Sequence, residues 1–224
     1  YAVGTSKSII TTGGNISIIG EAPEGGVRLT HALRAANAGF TAGGTIGISG
    51  KTSTNGGYYG VYVAPAGTMD AWGSVDIYGQ SAPVATANWW TLAATSNADG
   101  VYLAAPVRSY NGAVTLTGYS GGWRGIYAIG GASLQAATTL SATGVGKSDG
   151  IRLADSLLAG GDISLSGQVA IAAGMWGVYL DGATKSTRST GGSLKIVGSG
   201  GDYGISILQS LSAGSSTTLI PGAP

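Results

Sequence analysis

Two short cassettes recur along this chain and leave few folds open to it. The first is a glycine followed by alternating apolar residues, as in GIRL from Gly150 and GVYL from Gly177. The second ends a stretch of the form Gly-Gly-x-apolar-x-apolar-x-Gly, as in GGDISLSG closing at Gly167 and GGSLKIVG closing at Gly198. Both alternate with a period of two, which is the pattern of a strand with one buried face. A unit this small cannot bury its apolar face alone and has to stack on copies of itself.

The first cassette begins at Gly26, Gly60, Gly100, Gly125, Gly150, Gly177 and Gly204, at intervals of 34, 40, 25, 25, 27 and 27 residues. The second closes at Gly20, Gly50, Gly79, Gly118, Gly144, Gly167 and Gly198, with a decayed copy, TTLIP, near the end. The count predicts about eight turns of roughly 26 residues in one domain spanning residues 1–224, with insertions near 30–42 and 80–98. A third apolar position, four residues before each second cassette, falls on Ile10, Phe40, Met69, Leu134 and Leu157, with Val107 one place off and Arg188 breaking the series. Three strands per turn of this length predict an all-β, right-handed parallel β-helix. Hexapeptide turns would be shorter, and propeller blades need about four strands in 40–50 residues.

In that fold the paired apolar positions form the interior, from Val27/Leu29 through Ile205/Ile207 in one wall and from Ile16/Ile18 through Leu194/Ile196 in another. Strands about 4.8 Å apart make eight layers a rod roughly 40 Å long. The cassette glycines are expected at corners, where a positive φ favours glycine. The outward position of the first cassette reads Arg28, Tyr62, Tyr102, Tyr127, Arg152, Tyr179 and Ser206, an external ladder of rings and guanidinium groups. The matching column of the second cassette is bland: Ser17, Gly47, Asp76, Thr115, Ser141, Ser164 and Lys195.

Composition excludes several classes of function. Gly numbers 42 and charged residues make up 9%, yet 43% of the chain is hydrophobic, which is too apolar for a disordered linker. The net charge is +1 and no basic run suits nucleic acid. Cys is absent, so neither disulfides nor thiolate metal sites can form. No stretch approaches the 18 or so apolar residues of a membrane-spanning helix. No metal or cofactor site is expected. The start at Tyr1, in mid-motif, reads as that of a mature or excised segment.

The chain resembles the repeat region of large exported bacterial proteins of the filamentous haemagglutinin type, secreted by two-partner systems or as autotransporters. The resemblance rests on the tandem cassettes typified by GVYLDGATKSTRSTGGSLKIVG and covers nearly the whole chain. It implies a β-helical shaft, an extracellular or cell-surface location, and a part in adhesion, biofilm or delivery of distal domains. It carries no functional residues beyond scaffold positions.

Aromatic residues are the candidate contact points. Trp89 and Trp90 in the longer insertion, with Tyr58, Tyr59, Tyr62 and Tyr102, are suited to stack on sugar rings of a host or matrix glycan, or on another protein. Trp72, Trp123 and Trp176 precede cassette glycines and read as corner fillers. A polysaccharide-active enzyme would need clustered carboxylates. Asp99, Asp149 and Asp202 recur on alternate turns, Asp155 and Asp181 follow first cassettes on consecutive turns, and Asp162 lies on another wall. All read first as solvated turn carboxylates capping backbone N–H groups. His31 is the single histidine, in the shorter insertion, which could form one helical turn. The leading expectation is a non-catalytic shaft segment displaying binding loops, packed against neighbouring repeats. The alternatives are a filament subunit that assembles with itself end to end or laterally, and a β-helix enzyme.

Overall fold

Among the described residues, three parallel sheets of eight strands each wrap one continuous aliphatic core. The computed structural model describes residues 3–5, 7–52, 58–81, 98–170 and 175–222. All of these are strand, turn or irregular, with no helix. Each circuit visits the sheets in the same order, as in Arg124–Ala128, then Leu134–Ala136, then Leu140–Gly146. Eight layers are thus joined by seven full circuits. Parallel crossovers of this kind are right-handed in about 98% of cases.

The two cassettes form the two long walls, in the register their alternation predicts. Val27, Val61, Val101, Ile126, Ile151, Val178 and Ile205 lie one above another in the first sheet. Ile16, Ile46, Val75, Val114, Leu140, Ile163 and Leu194 do so in the second-cassette sheet. Both columns are buried except at the outermost layer, where Ile205 and Ile207 are partly exposed. The decayed copy is a true strand, Thr217–Pro221, paired on Leu194–Gly198.

The third sheet is short, and its inward column differs from the expected one. It runs Ile9, Leu33, Met69, Val107, Leu134, Leu157, Thr187 and Leu211. Val107 is fully in register. Ile10 and Arg188 point outward in the neighbouring column, and Phe40 belongs to no strand. Counting back from the second cassette fails here because the insertion intervenes between Leu33 and that cassette. The expected helical turn over 30–42 does not form, since Leu33–Ala35 is a core strand. The true excursion is a loop closed by an antiparallel bridge between Ala36 and Gly43. Asn37 ties it: its side-chain carbonyl accepts the Thr41 N–H at 2.9 Å and its amide donates to the Thr41 hydroxyl at 3.0 Å. Phe40 adopts φ 53° at the tip and stacks on Tyr110, with ring centroids 4.3 Å apart.

The cassette glycines serve a purpose other than the one their position suggests. Positive φ occurs at Gly43, which opens the cassette GGTIGISG, and at Gly131, Gly182, Gly200 and Gly201, but not at the glycines that close the second cassette or begin the first. These instead lie where the two long walls converge. A Cβ on Gly118 would land on the carbonyl oxygen of Gly125, and the same collision pairs Gly20 with Gly26, Gly50 with Gly60, Gly79 with Gly100, Gly144 with Gly150, Gly167 with Gly177 and Gly198 with Gly204. Glycine is required because backbone packs on backbone.

Gly118→Ala should therefore cost about 3 kcal/mol or more, since the obstruction is main chain that cannot rotate away. Gly47, on the outer face with only the Ile16 carbonyl within 4.0 Å, has room for a methyl. Gly47→Ala should leave stability unchanged or raise it by up to about 1 kcal/mol. Urea denaturation followed by circular dichroism separates the two; equal midpoints would refute the close-contact account.

Candidate functional site

The external ladder of the first sheet forms as a continuous spine. Arg28, Tyr62, Tyr102, Tyr127, Arg152 and Tyr179 occupy the same position on successive layers. The Arg28 guanidinium lies 5.6 Å from the Tyr62 ring centre, and Tyr62 stacks on Tyr102 at 5.1 Å and 12°. Tyr102 meets Tyr127 edge-on at 5.5 Å, and Arg152 sits between Tyr127 and Tyr179 at 5.7 and 5.1 Å. One-layer spacing brings each group within reach of the next, so the column interacts with itself.

The structure brings four of the six sequence-selected aromatics together. Tyr59 is 5.0 Å from Tyr62 and 5.3 Å from Tyr102, and Tyr58 precedes it at the corner. Tyr58, Tyr59 and Tyr62 line a cleft of about 490 Å³ with Glu24, Gly25, Val27 and Arg28. Trp89 and Trp90 lie outside the described residues. Burial, with the nearby Asp99 charge, pushes the Tyr59 phenol above its ordinary range, and burial with neighbouring phenols does the same for Tyr102. Both remain protonated donors near neutral pH. Sequence reasoning placed Arg28 in the spine but not in a site, and did not single out Glu24. Its signal was the acidic residue directly before Gly25, at the mouth of the aromatic column.

The column just inside the spine reads Gly25, Tyr59 and Asp99, continuing through Arg124, Asp149, Trp176 and Tyr203. Here the expectation of solvated carboxylates fails: Asp99 and Asp149 are each only 1% exposed and Arg124 4%. The Arg124 Nε donates to Asp99 Oδ1 at 2.9 Å, Nη2 donates to Oδ2 at 3.3 Å, and the guanidinium is sandwiched between Trp123 and Tyr127 at 3.6 and 3.4 Å. Asp149 Oδ1 has no hydrogen-bond partner among the described residues. Counting only carboxylates left an empty layer between charges on alternate turns; that layer holds Arg124, legible in GGWRGIYA as a charge directly before a cassette glycine. Trp123 lies at a bend, as expected, and packs on Arg124, whereas Trp176 is the first residue of the strand Trp176–Leu180 and stacks on Tyr179.

Asp155, Asp162 and Asp181 do accept from backbone N–H groups, and Asp202 is exposed. Burial alone would raise the Asp155 carboxyl, but the Ser156 and Gly131 N–H groups and Lys185 outweigh it and hold it below the ordinary range. Against the same opposing burial, the Arg152 guanidinium and the Gly182 N–H lower Asp181. Lys185 Nζ lies 3.1 Å from Asp155 and Arg152 Nη2 lies 2.9 Å from Asp181. His31 is exposed, with Nδ1 3.0 Å from the Thr30 hydroxyl. Among the described residues no cluster of His, Cys, Asp or Glu could hold a metal ion. They contain no helix long and apolar enough to cross a membrane.

These features define the chain as a parallel β-helix repeat protein with an aromatic spine and an internal ion ladder. Comparison with protein-family models, with curated proteins and with solved structures gives no match.

The ladder has a pH signature. Burial pushes Asp99 up to about 6 against the attraction of Arg124, with the Asp149 charge adding to the rise. Its folded-state value exceeds the unfolded 3.8, so its contribution is fully present below the unfolded value and declines as pH rises through about 6. Between about pH 4 and pH 7, wild type should lose unfolding free energy relative to Asp99→Asn; a flat difference would refute this. Arg124→Ala should cost about 3–5 kcal/mol at pH 7, because it leaves buried carboxylates without a counter-charge. Thermal melts of the two variants across this window provide the measurement.

Proposed function

We propose that the chain is a non-catalytic shaft segment of a secreted or surface-exposed bacterial adhesin, a rigid coil that holds contact surfaces away from the cell. The observation that carries this reading is the continuous core: the aliphatic columns of the two long walls run from layer to layer, so each layer adds length to one shared interior. Such a scaffold is extended and quasi-one-dimensional, and its stability comes from contacts between neighbouring layers. The Tyr/Arg spine along one edge suits a contact surface, since aromatic and Arg side chains dominate binding energy at interfaces. The engagement of Asp155 and Asp181 by backbone N–H groups and cations favours a structural role for them over acid–base work.

Antiserum raised against this chain should label the surface of intact cells of the source organism, and the soluble chain should reduce their adherence to matrix-coated surfaces. Labelling that appears only after lysis would sink the proposal. So would cleavage of a polysaccharide by the purified chain that Asp155→Asn or Asp181→Asn abolishes.

A further inference from the structure

The cleft at the start of the spine exists because one layer lacks a side chain. In the column just inside the spine, most layers carry a large or charged residue: Tyr59, Asp99, Arg124, Asp149, Trp176 and Tyr203. Gly25 is in register with Tyr59 and leaves the space beneath that ring open. Neither strain nor crowding requires glycine here, because its φ is not positive and an added Cβ would meet only the Tyr59 carbonyl oxygen, at 3.8 Å. The gap is therefore a feature of the surface and not a requirement of the coil. Its volume of about 490 Å³ falls within the roughly 300–1,000 Å³ of small-molecule sites.

The lining specifies the chemistry of an occupant. Tyr58, Tyr59 and Tyr62 supply ring faces and phenol groups, and Tyr58 is 56% exposed. Glu24 is an acceptor-only carboxylate and Arg28 a donor-only guanidinium. Both are exposed at the same cleft, and no ion pair joins them among those the described residues form. One positive and one negative group sum to zero, which disfavours a charged ligand. A ring with an apolar C–H face and a rim of hydroxyls matches all three elements: the face against phenol rings, hydroxyl hydrogens to Glu24, hydroxyl oxygens to Arg28. We propose that the Glu24–Gly25–Arg28–Tyr58–Tyr59–Tyr62 cleft binds a neutral pyranose unit of a glycan. The inference rests on the adhesin reading above and names the ligand class that one part of its surface would take.

The test is saturation-transfer NMR and calorimetry on the whole chain with cellohexaose, mannohexaose, hexa-N-acetylchitohexaose and oligogalacturonate. At least one neutral oligosaccharide should bind with millimolar or better affinity and in preference to the uronate. Gly25→Val, which fills the cleft where a Cβ is tolerated, should weaken that binding about tenfold or more, and Tyr58→Ala likewise. Tyr179→Ala, far along the same spine, should leave it unchanged. Circular dichroism and melting temperature establish that Gly25→Val is folded, and Tyr58→Ala stands as the second variant if it is not. No binding of any neutral sugar up to roughly 10 mM, preference for the uronate, or binding indifferent to both cleft variants would overturn the proposal. Loss of the sugar result with surface labelling retained removes the ligand alone; loss of surface labelling removes the reading beneath it.

Discussion

Backbone-to-backbone contact between paired glycines is the constraint on which the coil depends. Where the two long walls converge, Gly118 lies against Gly125 and Gly144 against Gly150, and the same pairing recurs in seven layers. No side chain fits between them. The contact fixes the angle and separation of the two walls and so sets the cross-section that the aliphatic columns must fill. Because each layer repeats that cross-section, Val, Ile and Leu at one position meet similar volumes above and below, and the core packs without a separate solution for each turn. The high glycine content and the low charge content thus have one cause. Each turn devotes a pair of glycines to close approach and a few aliphatic residues to the enclosed interior.

Axial repetition also governs the outer faces. Any residue type placed in a column meets its own copies about 4.8 Å away. A column of like charges would repel itself, whereas rings stack and opposite charges attract. The spine meets this condition with Tyr and Arg in alternating runs, and the third sheet does so where Arg108 lies 3.5 Å from Asp70 on the adjacent layer. The buried ladder is the extreme case. Asp99, Arg124 and Asp149 share one column on three successive layers, so two carboxylates flank one guanidinium. The arrangement is tolerable only because Arg124 is held by bidentate hydrogen bonds and by two aromatic faces. Even so it carries a cost, visible in the raised carboxyls of Asp99 and Asp149.

The two long walls were legible because their strands alternate over enough residues to fix a face. Ile163, Leu165 and Gly167 can be assigned inward from the pattern ISLSG alone. The short sheet was not, because its strands hold only one large inward residue followed by Ala or Ser, as in Leu33–Arg34–Ala35 and Val107–Arg108–Ser109. A period of two cannot be read from one apolar residue. Phe40 then drew the assignment to itself by being aromatic, although its place is on Tyr110 at a loop tip. The glycines misled in a different way: their spacing was correct and their reason was not, since steric exclusion by a distant wall leaves no local trace in sequence. The aromatic cluster was found through Tyr62 and Tyr102, whose column is periodic. Glu24 escaped notice because it sits outside any period, and Gly25 because an absence of side chain carries no signal of its own.

One column therefore concentrates the chemical variety of an otherwise uniform rod. At Gly25 it opens a cleft, at Asp99 through Asp149 it buries an ion ladder, and at Trp176 it supplies a ring stacked on Tyr179 at 4.4 Å. The position can vary because it lies just outside the glycine contact that fixes the walls and just beyond the aliphatic columns that fill the core. Substitution there changes neither the cross-section nor the register of the layers. A repeat scaffold of this kind separates the residues that must be the same in every turn from those free to differ. Local function arises where a free position breaks the run of its neighbours. By that reasoning the layer that departs from its column by having nothing, the one holding Gly25, is as informative as the layers that depart by carrying charge.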